Sequence, residues 1–137
     1  MVGAMIEKPG EPGRYLITQR SAKATLPLLW EFPGGKAHDG EVEAAALARE
    51  LKERLALDVE VGDQQMATHH SYASHELVFT VFACTLRDRN QAVSHAKVND
   101  HRWVSLEQMS EYEFPGADQK TLEKLLDLED DALEGES

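Results

Sequence analysis

The 137-residue chain has a single cysteine, Cys84. It therefore carries no internal disulfide and no multi-cysteine zinc site, which suits a reducing compartment. No apolar run approaches the roughly 20 residues that span a bilayer. No charged-then-apolar leader opens the chain. The expectation is a cytoplasmic protein with no membrane partner. Basic residues are scarce, 14 Lys and Arg against 25 Asp and Glu, a formal charge of −11. Such a chain is a poor general binder of duplex nucleic acid, because phosphate polymers are held through Lys and Arg. A small phosphorylated ligand stays compatible if local cations or a metal neutralise it. No internal repeat is present. Length and composition fit one soluble domain.

Val2–Ile6 and Arg14–Arg20 read as strands, and the turn Pro9-Gly-Glu-Pro-Gly13 between them predicts a hairpin. Trp30-Glu-Phe-Pro-Gly-Gly-Lys36 marks a sharp turn with exposed backbone. Residues 41–55 are the strongest helix, with Leu47, Leu51 and Leu55 at four-residue spacing. Two short strands are expected at Asp58–Val61 and Ala67–Ser71. Leu77–Leu86, rich in β-formers, reads as a central strand. Residues 87–100 form a polar loop and His101–Val104 a short strand. Ser105 with Gln108 resembles a capping box. Asp118 opens a last helix striped by Leu122, Leu125 and Leu126. Residues 1–126 are expected to form the domain, and the acidic tail 127–137 to fray or be disordered. Strands and helices do not alternate regularly, so the fold class is α+β, a mixed sheet between helices.

Phosphoryl chemistry needs positive charge on the phosphates and an oriented water. An acidic protein supplies the first with Mg²⁺ or Mn²⁺ held by carboxylates. Glu50 and Glu53 stand three apart on one helical face, just after Gly34-Gly35. Taken alone, such acids read as a solvated face, with Glu50 pairing Arg54. The glycine turn beside them favours a site, in which a backbone carbonyl joins the carboxylates.

The stretch Gly35-(five)-Glu41-(seven)-Arg49-Glu50-Leu51-Lys52-Glu53 resembles the Nudix box, G-x5-E-x7-R-E-U-x-E-E-x-G-U with U apolar. Trp30–Lys36, Trp103-Val104-Ser105 and Phe114–Asp118 resemble further elements of MutT-like nucleoside triphosphate pyrophosphohydrolases. The resemblance covers most of the chain. It implies a Nudix α/β/α sandwich and cleavage of a nucleoside diphosphate linked to another group, typically a triphosphate to monophosphate plus pyrophosphate. It implies Glu53 as metal ligand, Glu50 as ligand or water-activating group, and the Gly34 carbonyl in the metal shell. Arg49 would orient the glutamates, Lys36 and Arg20 would reach the phosphates, and Asp118 would read the base edge. The implied cofactor is Mg²⁺ or Mn²⁺, and the implied partner a small nucleotide. The protein is expected to be a monomer or homodimer.

Two positions depart from the family pattern: Arg54 replaces the second glutamate of the E-E pair, and Ala56 the following glycine. Lys97 aligns with a further carboxylate. These cations predict weaker metal binding and slower catalysis by repulsion, unless they contact phosphate directly or Glu43, Glu76 or Asp100 supplies the missing oxygen. Asp118, taken as ionised, only accepts hydrogen bonds, which leans toward cytosine or an oxidised guanine; it also reads as the N-cap of the last helix. Of His69, His70 and His75, one is expected at the cleft and the others on the surface. Trp30 and Cys84 read as packing; of Phe79 and Phe82 one faces the core and the other could stack on a base, with packing the favoured reading for each. Two rival functions remain: a Nudix-fold nucleotide- or partner-binding module with weakened catalysis, and a hydrolase of sugar nucleotides or capped RNA.

Overall fold

The computed structural model describes the backbone of residues 1–135 and the side chains of residues 1–128. Two sheets form its centre. The first is mixed and runs in the order β4 (Gly34–Gly35), β1 (Val2–Ile6), β6 (Glu76–Leu86), β5 (Val59–Ser71). Strands β1 and β6 are parallel, and the other pairs in this sheet are antiparallel. The second sheet is antiparallel, in the order β3 (Trp30–Glu31), β2 (Tyr15–Gln19), β7 (Asp100–Val104).

All five residues of β1 are buried. Its side chains alternate between two faces. Val2, Ala4 and Ile6 join Leu47, Leu51 and Leu55 of helix α1 (Glu43–Leu55) in one core cluster. Met5 joins Ile17, Phe79, Val81, Leu122 and Leu125 in the other. That second cluster lies under α2 (Leu106–Met109) and α3 (Gly116–Gly135). The sheets thus sit between helices, as the α+β reading expects.

The predicted hairpin does not form. β1 and β2 lie in different sheets, linked by an isolated Glu7–Tyr15 bridge and by the Lys8 N–H donating to the Arg14 carbonyl at 2.8 Å. A strand buried on both faces needs neighbours on both edges, and β1 takes β4 and β6. The two short strands predicted at 58–61 and 67–71 are one long strand, β5, whose register slips between Val61 and Met66. The irregularity breaks the side-chain alternation and hides the continuity. The capping box is present: the Ser105 side chain accepts from the Gln108 N–H, and the Gln108 side chain accepts from the Ser105 N–H. Helix α3 begins at Gly116 and runs past Leu126 to Gly135; residues 136–137 of the expected fraying tail lie outside the described residues.

Candidate active site

The turn at Phe32-Pro33 carries the chain from β3 in one sheet to β4 in the other. The Pro33 carbonyl accepts from the Ala4 N–H at 2.8 Å. Strand β4 approaches β1 so closely that a β-carbon on Gly34 would collide with the Val2 carbonyl oxygen, and one on Gly35 with the Glu50 carboxylate. Both glycines are therefore required by close approach. They bring the backbone bend against the acidic face of α1.

Leu47, Leu51 and Leu55 fasten that helix to the core, which sets Glu50 against the bend. Arg49 organises this face. Its Nε and Nη2 grip the two oxygens of Glu41 at 2.9 and 3.0 Å, and Nη2 also donates to the Lys36 carbonyl at 3.1 Å. Its Nη1 donates to Glu50 Oε1 at 3.1 Å and to Glu53 Oε2 at 3.2 Å. One nitrogen therefore bridges the two carboxylates, so they lie close together. The Arg49 guanidinium and the His38 N–H hold Glu41 down to about 2. Glu50 is buried, whereas Glu53 is about half exposed. The second oxygen of Glu50 accepts from Arg54 Nε at 2.7 Å, one helical turn on. Arg54 thus grips its helical neighbour and also faces the cleft.

A cleft of about 150 Å³ opens beside the bend, lined by Arg20, Glu31, Gly34, Lys36, Arg54 and Asp118, with Phe79 in its wall. The Arg20 Nη1 donates to Glu31 Oε2 at 2.9 Å and its Nε to the Thr25 carbonyl at 2.7 Å. Burial raises Glu31 above the usual carboxylate range, against the pull of Arg20. Asp118 lies in the first turn of α3 and accepts from the Phe32 N–H at 3.2 Å, so it is not the cap of that helix. Although its side chain is partly accessible, burial of the carboxyl first, and the charge of Glu31 second, push it up to about 8. That shift favours the protonated acid, which both donates and accepts, over the carboxylate expected from the sequence.

Arg20, Lys36, Arg54, Asp118 and Gly34 thus meet in one cleft, backed by Glu50. Lys97 is exposed and does not line it, nor do Glu43, Glu76 or Asp100. The loop alignment that set Lys97 in place of a carboxylate has no counterpart in the lining. Phe79 and Phe82 are both buried, in opposite clusters, and Phe79 alone reaches the cleft. Trp30 packs edge-on against Tyr112, with ring centroids 5.0 Å apart. His70 lies against Gly116 and Tyr72, away from the cleft lining. Glu31 was missed by sequence reasoning. Its signal was an acid between two aromatics, Trp30 and Phe32, which folding buries and must pair.

The carboxylates of Glu50 and Glu53, bridged by Arg49, are hard oxygen donors of the kind that suit Mg²⁺ or Mn²⁺. The Arg54 guanidinium on Glu50 competes with an ion for that carboxylate. Among the described residues, no helix is long and apolar enough to cross a membrane.

The NUDIX domain family model matches residues 2–124. The CTP pyrophosphohydrolase of Escherichia coli K12 is 31% identical over 128 residues, covering 93% of this chain and 91% of its own. The 8-oxo-dGTP diphosphatase of Proteus vulgaris is 35% identical over 69 residues, 50% of this chain and 62% of its own. The crystal structure of a MutT protein from Methanosarcina mazei Go1 shares the fold, with a TM-score of 0.76 at 24% identity over 90% of this chain and 88% of that one. With the glycine bend, the Arg49-bridged glutamates and the matched span all in agreement, the chain belongs to the Nudix family.

Proposed function

We propose that this protein is a divalent-ion-dependent pyrophosphohydrolase that converts a (deoxy)nucleoside triphosphate to its monophosphate and pyrophosphate. The observation that carries the reading is the cleft in which Arg20, Lys36 and Asp118 converge beside Glu50. At about 150 Å³ it is smaller than the roughly 300–1,000 Å³ of typical ligand pockets. It suits a base, with the phosphates lying along the open surface toward Lys36 and Glu53.

Glu50, Glu53 and the Gly34 carbonyl would hold the ion, which supplies charge neutralisation and a more acidic water. Both Glu50 oxygens accept from guanidiniums, so an ion at this carboxylate would use its remaining lone pairs in competition with Arg54. Arg49 holds the two glutamates and Glu41 in register. Lys36, and the Arg20 guanidinium edge left beyond Glu31, attract the phosphates. Water adds to the α- or β-phosphorus and gives up a proton to solvent, the bond from that phosphorus to the α,β-bridging oxygen breaks, and the departing group, pyrophosphate or the nucleoside monophosphate respectively, keeps that bond's electron pair. Asp118, held by the Phe32 N–H, offers one donor and one acceptor. Cytosine and oxidised guanine both present an edge that pairs a donor with an acceptor. The relatives named for CTP and 8-oxo-dGTP support the same substrate class.

The test is a panel of nucleoside and deoxynucleoside triphosphates with Mg²⁺ or Mn²⁺, followed by pyrophosphate release. Turnover well above that of Glu53→Gln is expected, highest for cytosine or 8-oxoguanine nucleotides. Activity equal to that control defeats the hydrolase reading.

The Arg54–Glu50 contact of 2.7 Å favours one alternative, a nucleotide-binding module with weakened catalysis. It requires that nucleotide raise the melting temperature in EDTA without product formation. Loss of that stabilisation in EDTA removes the alternative.

A further inference from the structure

Outside the cleft, His95 and His101 converge on each other. His95 stands in the loop before β7 and His101 on β7 itself. His95 Nε2 and His101 Nδ1 lie 2.6 Å apart, with ring centroids 4.9 Å apart at 61°. A carboxylate oxygen of Asp100 completes a set whose ligand atoms all lie within 4.8 Å of one another. Two neutral imidazoles meeting nitrogen to nitrogen share a single proton, and a cation can take that proton's place.

The loop presenting His95 is pinned at both ends. The Ser94 N–H donates to the carbonyl of Leu55, the last residue of α1, at 3.0 Å. The Asn99 N–H donates to the Gln19 carbonyl at 2.9 Å, and its side-chain amide to Gln19 Oε1 at 2.6 Å. Val98 between them is buried. The imidazoles are thus delivered by fixed backbone rather than by a loose loop.

We propose that His95, Asp100 and His101 form a binding site for one divalent transition ion of the Zn²⁺ type, separate from the glutamate site on α1. Two imidazoles and one carboxylate are a borderline donor set, suited to Zn²⁺ and its neighbours rather than to Mg²⁺. Two nitrogens on a tetrahedral zinc stand about 3.4 Å apart, from Zn–N lengths near 2.0–2.1 Å. The pair therefore needs to open by less than about 1 Å. Asp100 Oδ1 accepts from the His101 N–H at 2.8 Å and Oδ2 from Arg102 Nη1 at 2.5 Å. Each oxygen keeps a second lone pair for the ion, and Arg102 is the competing cation. His95 is exposed, which leaves the fourth position to water. Neither histidine lines the nucleotide cleft. A bound ion would staple the loop over the C-terminal end of the glutamate helix.

The test uses the untagged full chain with Co²⁺ and Zn²⁺ alone, in three forms: the natural sequence, His95→Ala/His101→Ala, and Glu50→Gln/Glu53→Gln. Visible Co²⁺ absorption, bleached by one equivalent of Zn²⁺, is expected in the first and third. Removing outer-shell partners alone costs roughly 10–100-fold in affinity, so loss of both imidazoles should weaken binding by at least about 100-fold. Zn²⁺ should raise the melting temperature of the natural and glutamine forms only. Should the histidine variant fail to fold, a Zn²⁺ titration of the natural chain should shift the ring resonances of His95 and His101 and leave those of His38, His69, His70 and His75 in place. Co²⁺ absorption that survives in the histidine variant, shifts confined to the other four rings, or no binding at millimolar ion overturns the proposal.

Discussion

Gly35 and Glu50 are in contact through the space a side chain on Gly35 would fill: a β-carbon there would overlap the Glu50 carboxylate. The diglycine bend therefore fixes the position of a buried acid fifteen residues away in sequence. Gly35→Ala must push that carboxylate aside or part β4 from α1. A misplacement of about 1 Å can cost about 100-fold in rate, and a loss of that order in kcat is expected. Pyrophosphate release measured beside thermal unfolding separates a misplaced Glu50 from simple instability.

Arg54 gives Glu50 a cation where the family pattern has a second glutamate. Arg54→Glu removes an i,i+4 ion pair and replaces it with an i,i+4 repulsion, each about 0.3–0.5 kcal/mol. In EDTA the variant should therefore unfold at slightly lower temperature than the natural chain. In Mn²⁺ the order should reverse, and half-maximal turnover should need less Mn²⁺, because a third carboxylate joins the set. An unchanged Mn²⁺ dependence would mean that position 54 does not sense the ion.

Ala56 closes α1 in the left-handed conformation, with φ 57° and ψ 31°, and its N–H caps carbonyls of the last turn. That conformation costs an L-residue about 1–2 kcal/mol, and glycine escapes it. Ala56→Gly loses part of the gain, about 0.4–1 kcal/mol, to the greater freedom of the unfolded chain. A net stabilisation of about 0.5–1 kcal/mol is expected, read as a higher urea midpoint at unchanged m-value.

Where the sequence was legible, the signal was local. Leu47, Leu51 and Leu55 announce the buried stripe of α1, and Ser105 with Gln108 announces a cap, because each acts within one or two turns. The glycine bend and Arg49-Glu50 announced the site by resemblance. Partner choice was not local. Pro9–Gly13 reads as a hairpin turn, yet β1 is buried on both faces and pairs with β6, more than seventy residues away. The charge of Asp118 was equally hidden, because it depends on Glu31 and on Phe32, both more than eighty residues upstream. His95 and His101 carried no sequence signal, since a loop and a strand end, not a helical spacing, bring them together.

Asp118 should leave its mark on the pH dependence of stability. Its carboxyl is pushed up to about 8 by burial, with Glu31 adding to the effect, against about 3.9 in an unfolded chain. Between those values the unfolded state has released a proton that the folded state keeps, so stability falls as pH rises. Below about pH 4 both states are protonated and the penalty vanishes. Asp118→Asn keeps one donor and one acceptor but cannot ionise. It should match the natural chain in stability near pH 4, then gain steadily, by on the order of 1–3 kcal/mol at pH 8, a figure kept low because the cleft admits solvent. The Phe32 N–H retains an oxygen acceptor in the variant, so binding at pH 7 should survive. In the natural enzyme KM should rise between pH 7 and 9 as Asp118 loses the proton it donates, whereas the asparagine variant should hold a flat KM across that range. Urea denaturation at pH 4, 6 and 8, with KM profiles for both proteins, checks the two halves independently; parallel KM profiles would mean that the base does not bond to Asp118.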